Sequence, residues 1–105
     1  MAHHLEQLRK QGRCPLCGRL TRLTFHHLIP RKMHRRNYFK KHFSKLQMQT
    51  GVAICQLCHT GIHKTYDEMF LAKQRNTLES LLADEQLQAH FQWVAKQKVK
   101  PPKSS

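Results

Sequence analysis

The chain of 105 residues is long enough for one domain with a modest hydrophobic core, and it holds 19 lysines and arginines against 6 acidic residues. Residues 1–65 contain 13 of these basic residues and one acid, Glu6, so most of the net charge of +13 lies there. This excess of positive charge predicts a polyanionic partner. No apolar run is long enough for a membrane span or a secretory signal, so we expect a cytoplasmic protein.

The N-terminal part predicts a helix, a cysteine turn and a strand. Residues 1–11 place Leu5 and Leu8 on one side of a helix, and the motif CPLC follows at residues 14–17. The segment RLTRLTFHHLI then alternates loosely between polar and apolar residues. It is rich in β-branched and aromatic side chains, which is typical of a strand or hairpin that ends before Pro30.

Residues 31–45 form a basic segment with seven lysines or arginines and no acid. Phe39, Phe43 and Leu46 fall at helical spacing and predict a short helix with these side chains turned inward, and Ser44 can cap a following turn. A solvated face is the plainer interpretation, but so many like charges repel one another, and a polyanion accounts for them better. The candidate phosphate contacts are Arg19, Arg22, Arg31, Lys32, Arg35, Arg36, Lys40 and Lys41.

The C-terminal half predicts one short strand, GVAIC, followed by helices. Gly51 permits a sharp turn into that strand, and the chain is helical from His59 onward, with Asp67 and Asp84 as N-caps. His34, His42 and His90 are expected at the surface, where they can touch phosphate. The apolar residues expected to make core contacts are Leu78, Leu81, Leu82, Leu87, Phe91, Trp93 and Val94.

The four cysteines form two CxxC pairs, Cys14 with Cys17 and Cys55 with Cys58. Thiols stay reduced in the cytoplasm, and two such turns can direct four thiolates at one tetrahedral zinc ion, which would be structural because no coordination position stays open. A redox pair is a weaker explanation without a βαβ pattern. The run CQLCH also matches the attachment pattern of c-type haem, but haem would leave the first pair without a role.

Four histidines can meet beside this zinc. His26 and His27 are adjacent in the predicted strand and point to opposite faces, while His59 and His63 are four residues apart on one helical face. The second cysteine pair begins that helix, so the zinc would hold it close to the strand. Three imidazoles can then bind one divalent metal and the fourth can face a scissile phosphate as a proton acceptor, which predicts phosphodiester hydrolysis.

The order of CPLC, HHLIP and CQLCHTGIH over residues 14–63 resembles the cysteine-containing branch of the HNH endonucleases, the ββα-metal nucleases. The resemblance implies an α+β fold with a small, zinc-stapled, treble-clef-like core and a C-terminal helical extension like that of a bacterial subgroup. It assigns His27 as the general base and His26, His59 and His63 as ligands of a catalytic divalent metal. The family's middle asparagine, which braces the loop between the strands, falls at Thr50 here.

The resulting prediction is a metal-dependent DNA endonuclease or nickase of bacterial origin without an organic cofactor; the resemblance implies 5′-phosphate and 3′-hydroxyl products. An imidazole shell favours a transition metal such as Zn²⁺ or Ni²⁺, but Mg²⁺ and Mn²⁺ remain candidates. The alternative is a non-catalytic zinc-binding module that binds nucleic acid or protein. We expect a nuclease core over residues 1–65, a helical extension packed on it over 66–98, and a flexible tail over 99–105.

Overall fold

A computed structural model describes residues 11–99 of the chain. This part is an α+β structure with a three-stranded antiparallel sheet and six α-helices, which confirms the predicted class at that level. The helix predicted over residues 1–11 lies outside the described residues except for Gln11, which begins a strand, and the predicted tail lies outside except for Val99. Between residues 11 and 99, no helix is long and apolar enough to cross a bilayer.

The sheet has its longest strand in the centre. In spatial order its strands are β1 (Gln11–Arg13), β2 (Leu20–His27) and β3 (Gly51–Cys55). β2 and β3 pair in register from Leu23 with Cys55 to His27 with Gly51. Both strands form where the sequence predicts them, because their β-branched, aromatic and apolar residues suit a pleated, half-buried surface. The register brings the cysteine at the end of β3 against the middle of β2.

Gly51 is needed for a close approach between the two strands. A Cβ at this position would overlap the His26 carbonyl and the Phe25 ring. Gly51 is the first residue of β3 and its φ does not lie in the left-handed region, so the prediction of a sharp turn there is wrong. The missing side chain instead lets the Phe25 ring lie against the β3 backbone.

The segment between β2 and β3 folds into a 3-10 helix (Arg31–Met33), α1 (Asn37–His42) and α2 (Lys45–Gln49). Phe39 is buried and Phe43 half-buried, as predicted, but Leu46 is 78% exposed and its inward placement is wrong. The helix ends before Phe43 and a new one begins after Ser44, so Leu46 no longer follows the spacing of α1. Ser44 caps α2 as predicted, in a capping box with Gln47.

Four helices follow β3, namely α3 (Gln56–Thr65), α4 (Glu68–Gln74), α5 (Leu78–Ala83) and α6 (Glu85–Ala95). Asp67 caps α4 as predicted, accepting the Phe70 N–H at 2.8 Å. α6 packs on α3, where a Cβ at Gly61 would overlap the His90 ring. His90 is half-buried in this contact rather than at the surface, and its Nε2–H donates to the Leu57 carbonyl at 2.9 Å.

The hydrophobic core lies in two clusters. The larger one joins the cysteines to the sheet and to the inner faces of α3 to α6, and the smaller one lies under the segment between β2 and β3. Leu87, Phe91 and Val94 form the buried stripe of α6 at positions i, i+4 and i+7. Trp93 lies outside this stripe and is 53% exposed, so its prediction as a core contact is wrong.

Asp84 ties three helices together. It caps α6 by accepting the Leu87 N–H at 2.9 Å, as predicted, and its buried carboxylate also accepts from Tyr66 Oη at 2.6 Å and Arg75 Nε at 2.8 Å. Burial alone would raise the pKa of Asp84. The hydrogen bonds from Tyr66, the Leu87 N–H and Arg75 outweigh this effect and hold the pKa below its ordinary value.

Replacing Asp84 by alanine should destabilise the protein by about 3 kcal/mol, because it removes a helix cap and leaves Arg75 and Tyr66 without their buried acceptor. Asp67→Ala, which removes an exposed cap without an ion pair, should cost only about 1 kcal/mol. Urea unfolding of both variants provides the comparison.

The pH dependence of the same measurement is a second check. A depressed folded-state pKa means that the contribution of Asp84 is present above the unfolded pKa of about 3.9 and is lost as the pH falls through the folded value. The difference between wild type and Asp84→Ala should therefore shrink below about pH 4. An equal, pH-independent loss in the Asp84 and Asp67 variants would contradict this role.

Candidate metal centre

The four cysteines converge, as predicted. Cys14 and Cys17 come from the turn between β1 and β2, Cys55 ends β3, and Cys58 lies in the first turn of α3. One sulfur from each lies within 4.8 Å of every other, and three of the four residues are buried. Four such sulfurs could hold a structural metal such as zinc.

Hydrogen bonds and one glycine shape the first cysteine turn. The Gly18 N–H donates to the Cys14 carbonyl at 2.8 Å, and the Cys14 N–H donates to the Arg19 carbonyl at 2.9 Å. Gly18 has a φ of 83°, a left-handed conformation in which a side chain would be strained. These contacts of the turn set the positions of Cys14 and Cys17 independently of a metal ion.

A hydrogen bond within the cysteine cluster shifts the pKa values of two thiols in opposite directions. A hydrogen bond between Cys14 and Cys58 lowers the pKa of the Cys14 thiol and raises that of Cys58, and burial raises the Cys58 pKa further. A cluster that places a thiolate among buried thiols favours a cation at its centre. The Cys55 N–H also donates to the Cys14 sulfur at 3.4 Å.

Arg19 lies against this cluster. Its Nη2 is 3.5 Å from the Cys55 sulfur, and its Nη1 donates to the Gln97 carbonyl at 3.4 Å. The hydrogen bond with Cys55 raises the pKa of the guanidinium. Arg19 was predicted among the phosphate contacts, but the structure turns its guanidinium toward the Cys55 sulfur and the Gln97 carbonyl.

Three histidines form a second cluster on the face of β2 that α3 covers. The ring centroid of His26 lies 5.2 Å from that of His59 and 5.3 Å from that of His63, and the two helical rings are 5.0 Å apart. One nitrogen from each ring lies within 4.8 Å of the others. The structure thus brings together the three residues predicted to share a metal.

His26 is the buried member of this triad. It is 1% exposed, and neither ring nitrogen has a hydrogen-bond partner within the protein. Burial, and then the neighbouring imidazoles led by His59, lower its pKa to about 3, so the ring is neutral at ordinary pH. A buried imidazole with unpartnered nitrogens is costly, and a metal ion is one partner that would satisfy it.

Thr24 fixes the orientation and the tautomer of His59. Its hydroxyl donates to the Ile54 carbonyl at 3.0 Å and lies 2.9 Å from His59 Nδ1. A hydroxyl has one proton, so His59 Nδ1 must be the donor in the second contact. The lone pair of His59 is then on Nε2, which is the arrangement that metal-binding histidines need.

The triad opens toward solvent at His63. His63 is exposed and His59 half-buried, whereas His26 is enclosed. Burial lowers the pKa of His59 and of His63, which favours the neutral, metal-binding form of both rings. A metal held here would keep coordination positions on the open side for water or a phosphate oxygen.

His27 lies on the other face of β2, outside the triad. It is half-buried, with its ring centroid 4.8 Å from Phe25 and 5.7 Å from His34. Burial, then His34 and Arg31, lower its pKa and favour the neutral ring. The adjacent histidines therefore occupy two environments, as strand alternation predicts.

His34 was expected at the surface, but it lies beside His27. It is half-buried, and its Nε2–H donates to the Ile29 carbonyl at 2.7 Å. The 3-10 turn after Pro30 reverses the chain and brings His34 back beside the end of β2. The proline was the available signal, since it marks where the strand must end and the turn begins.

Thr50 stands where the resemblance expects an asparagine. Its hydroxyl donates to the Leu46 carbonyl at 3.2 Å, and its own carbonyl accepts the Leu28 N–H at 3.1 Å. The residue therefore connects the two ends of the segment between β2 and β3 through its backbone, while its side chain bonds to the preceding helix.

Most of the predicted phosphate contacts are free to meet a ligand on the surface. Lys32 forms an ion pair with Glu68 at 3.6 Å, and its side chain remains 79% exposed. The other exposed members of the set are Arg22, Arg31, Arg35, Arg36, Lys40 and Lys41.

Comparisons of this chain with family models, with curated proteins and with solved structures each found no match. Its function has to be inferred from the residues and the geometry described above.

The cysteine cluster should bind one zinc ion that the fold requires. Cys14→Ser should lose this zinc and about 3 kcal/mol of stability, or roughly 15 °C in melting temperature for a domain of this size. His59→Ala should keep the zinc and melt close to wild type. Elemental analysis and thermal melting of the purified variants test this, and a Cys14→Ser protein that melts like wild type would contradict it.

Thr24→Val removes the hydroxyl with little change in shape and should weaken divalent-metal binding at the histidines by about tenfold or more. Thr21→Val, on the opposite face of β2, is the matched control and should bind metal as wild type does. Calorimetry on zinc-loaded protein measures the affinity, and ¹⁵N shifts of the His59 ring report its tautomer. A wild-type His59 protonated on Nε2 would contradict the assignment.

Proposed function

We propose that this protein is a metal-dependent DNA endonuclease or nickase of the HNH type. The observation that carries the proposal is the convergence of His26, His59 and His63, in which the buried His26 ring has no hydrogen-bond partner within the protein. His27 is the next residue after His26 on the strand. The triad could hold a divalent metal, and the residue next to His26 on β2 supplies a separate imidazole. Phosphodiester hydrolysis can use a metal to stabilise charge on the phosphate and an imidazole to activate water.

His27 would activate the attacking water. The ordinary pKa of histidine lies near neutrality, so a neutral ring accepts a proton in the physiological range. Its place outside the metal triad leaves its lone pair available for this task. His34 and Phe25 pack against the ring and limit its movement, which supports a defined direction of attack.

His26, His59 and His63 would hold the divalent metal, which when bound would stabilise negative charge on the phosphate and on the leaving 3′-oxygen. The contribution of the chain is the geometry. His26 is fixed by the strand, His59 by Thr24, and α3 begins at the cysteine cluster. Nitrogen ligands favour Zn²⁺ or Ni²⁺, while Mg²⁺ and Mn²⁺ would rely on water and phosphate oxygens. The proposed products carry 5′-phosphate and 3′-hydroxyl groups.

The basic segment would bind the DNA backbone. It lies between β2 and β3 and follows the strand that carries His26 and His27, and its arginines and lysines are largely exposed. Phosphate contacts of this kind position a duplex or a single strand without reading its sequence. The proposed binding should therefore be strongly salt-dependent.

Plasmid nicking with a series of divalent metals tests the proposal. Wild type should convert supercoiled DNA to nicked circles, and His27→Ala should be slower by at least about a hundredfold, since general-base catalysis contributes at least that much. Lys96→Ala changes an exposed side chain at the end of α6, outside the basic segment, and should cut as wild type does.

The competing function is a non-catalytic zinc-binding module that binds nucleic acid or a protein. It uses the cysteine cluster and the basic surface but gives no role to His27. Wild-type and His27→Ala proteins that both bind DNA and are equally inert with every metal would support this module and contradict the nuclease.

A further inference from the structure

A basic cleft lies beside the candidate active site. It is formed by the turn before α1, the end of α1 and helix α2, and its volume is about 600 Å³. Cavities of this size accommodate small organic ligands. Its principal lining residues are His34, Lys40, Phe43, Lys45, Met48 and Gln49.

The cleft adjoins His27 through a shared residue. His34 lines the cleft, and its ring centroid is 5.7 Å from that of His27. A DNA strand whose scissile phosphate lies at His27 would therefore have a neighbouring nucleotide at His34 and the cleft. The cleft would thus lie on the path of a substrate strand whose scissile phosphate is at His27.

The lining fits a nucleotide in charge and in shape. Lys40 and Lys45 are exposed at the rim, and none of the cleft-lining residues is acidic. Phe43 and Met48 provide an apolar wall. The Phe43 ring stacks on the buried Phe39 at 6.0 Å and 25°, which holds its orientation. An aromatic wall beside lysines is the usual surface for a base and its phosphate.

A base inside a duplex cannot use such a wall. Its faces are covered by the neighbouring bases, and only its edges are reached from the grooves. A base that is unpaired or turned out of the helix exposes a face and can enter a cleft. A cleft with an aromatic wall would therefore favour an unpaired nucleotide over a paired one.

We propose that this cleft binds one unpaired nucleotide next to the scissile phosphate, so that the preferred substrate is DNA with a single-stranded or extrahelical nucleotide. The base would stack on Phe43, and Lys40 and Lys45 would contact its phosphates. Gln49 would offer an amide to the edge of the base. This inference rests on the proposed nuclease function and names its substrate class.

The test uses His27→Ala protein, which should bind DNA without cutting it. Fluorescence anisotropy at one fixed salt concentration compares a duplex with the same duplex carrying one extrahelical nucleotide. The second DNA should bind about tenfold more tightly, as expected for one stacked base. Adding Phe43→Leu, which keeps an apolar side chain on the buried cluster, should abolish most of this preference.

Two further variants guard against a change in folding. Lys45→Ala and Gln49→Ala alter exposed side chains and should reduce the preference, whereas Lys96→Ala, at the end of α6, should leave it unchanged. Equal affinity of the parent protein for the two DNAs would overturn the inference. So would a preference that survives in the Phe43, Lys45 and Gln49 variants alike.

The two proposals fail in different ways. Nicking of plasmid by wild type together with equal binding of the two DNAs would overturn the cleft and leave the nuclease standing. If the protein prefers the extrahelical nucleotide but fails to nick plasmid with any of the metals, the nuclease is overturned and the cleft is supported as a nucleotide site.

Discussion

The contact among the four cysteine sulfurs is the constraint on which the rest of the structure depends. It joins the turn after β1 to the junction where β3 ends and α3 begins. Cys55 also pairs with Leu23 in the sheet. Because α3 begins at this cluster, its direction is set there. His59, which follows Cys58, and His63, one turn later, therefore meet the face of β2 that carries His26. A small core alone would constrain that geometry weakly.

A second consequence of this arrangement is that the adjacent residues His26 and His27 lie in different environments. Strand alternation directs His26 into the space between sheet and helix, and His27 to the side where His34 and the basic segment lie. Thr24, two residues before His26 on the same face, orients His59. In the proposed function, this one short strand would provide a metal ligand, a group that orients a second ligand and a proton acceptor. Its neighbour β3 needs glycine at position 51 because the Phe25 ring and the His26 carbonyl leave no room there for a Cβ.

Much of this could be read from the sequence, because the signals were local. The CxxC pairs, the i, i+4 histidines and the Ser44, Asp67 and Asp84 caps depend on fixed spacings, and the structure contains each of them. Side chains whose positions depend on tertiary contacts were harder to predict. Trp93 and Leu46 are apolar but exposed, because helix breaks and the facing elements decide which stripe is buried. Arg19, His34 and Thr24 acquire their roles from partners far away in the sequence or beyond a turn, which spacing does not reveal.

Anomalous diffraction from crystals grown with zinc would test most directly whether the sulfur cluster assembles a second metal site. The account predicts two peaks per chain. One should lie among the four sulfurs at about 2.3 Å from each, and the other at about 2.0–2.1 Å from nitrogens of His26, His59 and His63. A single peak at the cysteines, together with the His26, His59 and His63 rings turned away from one another, would contradict the account.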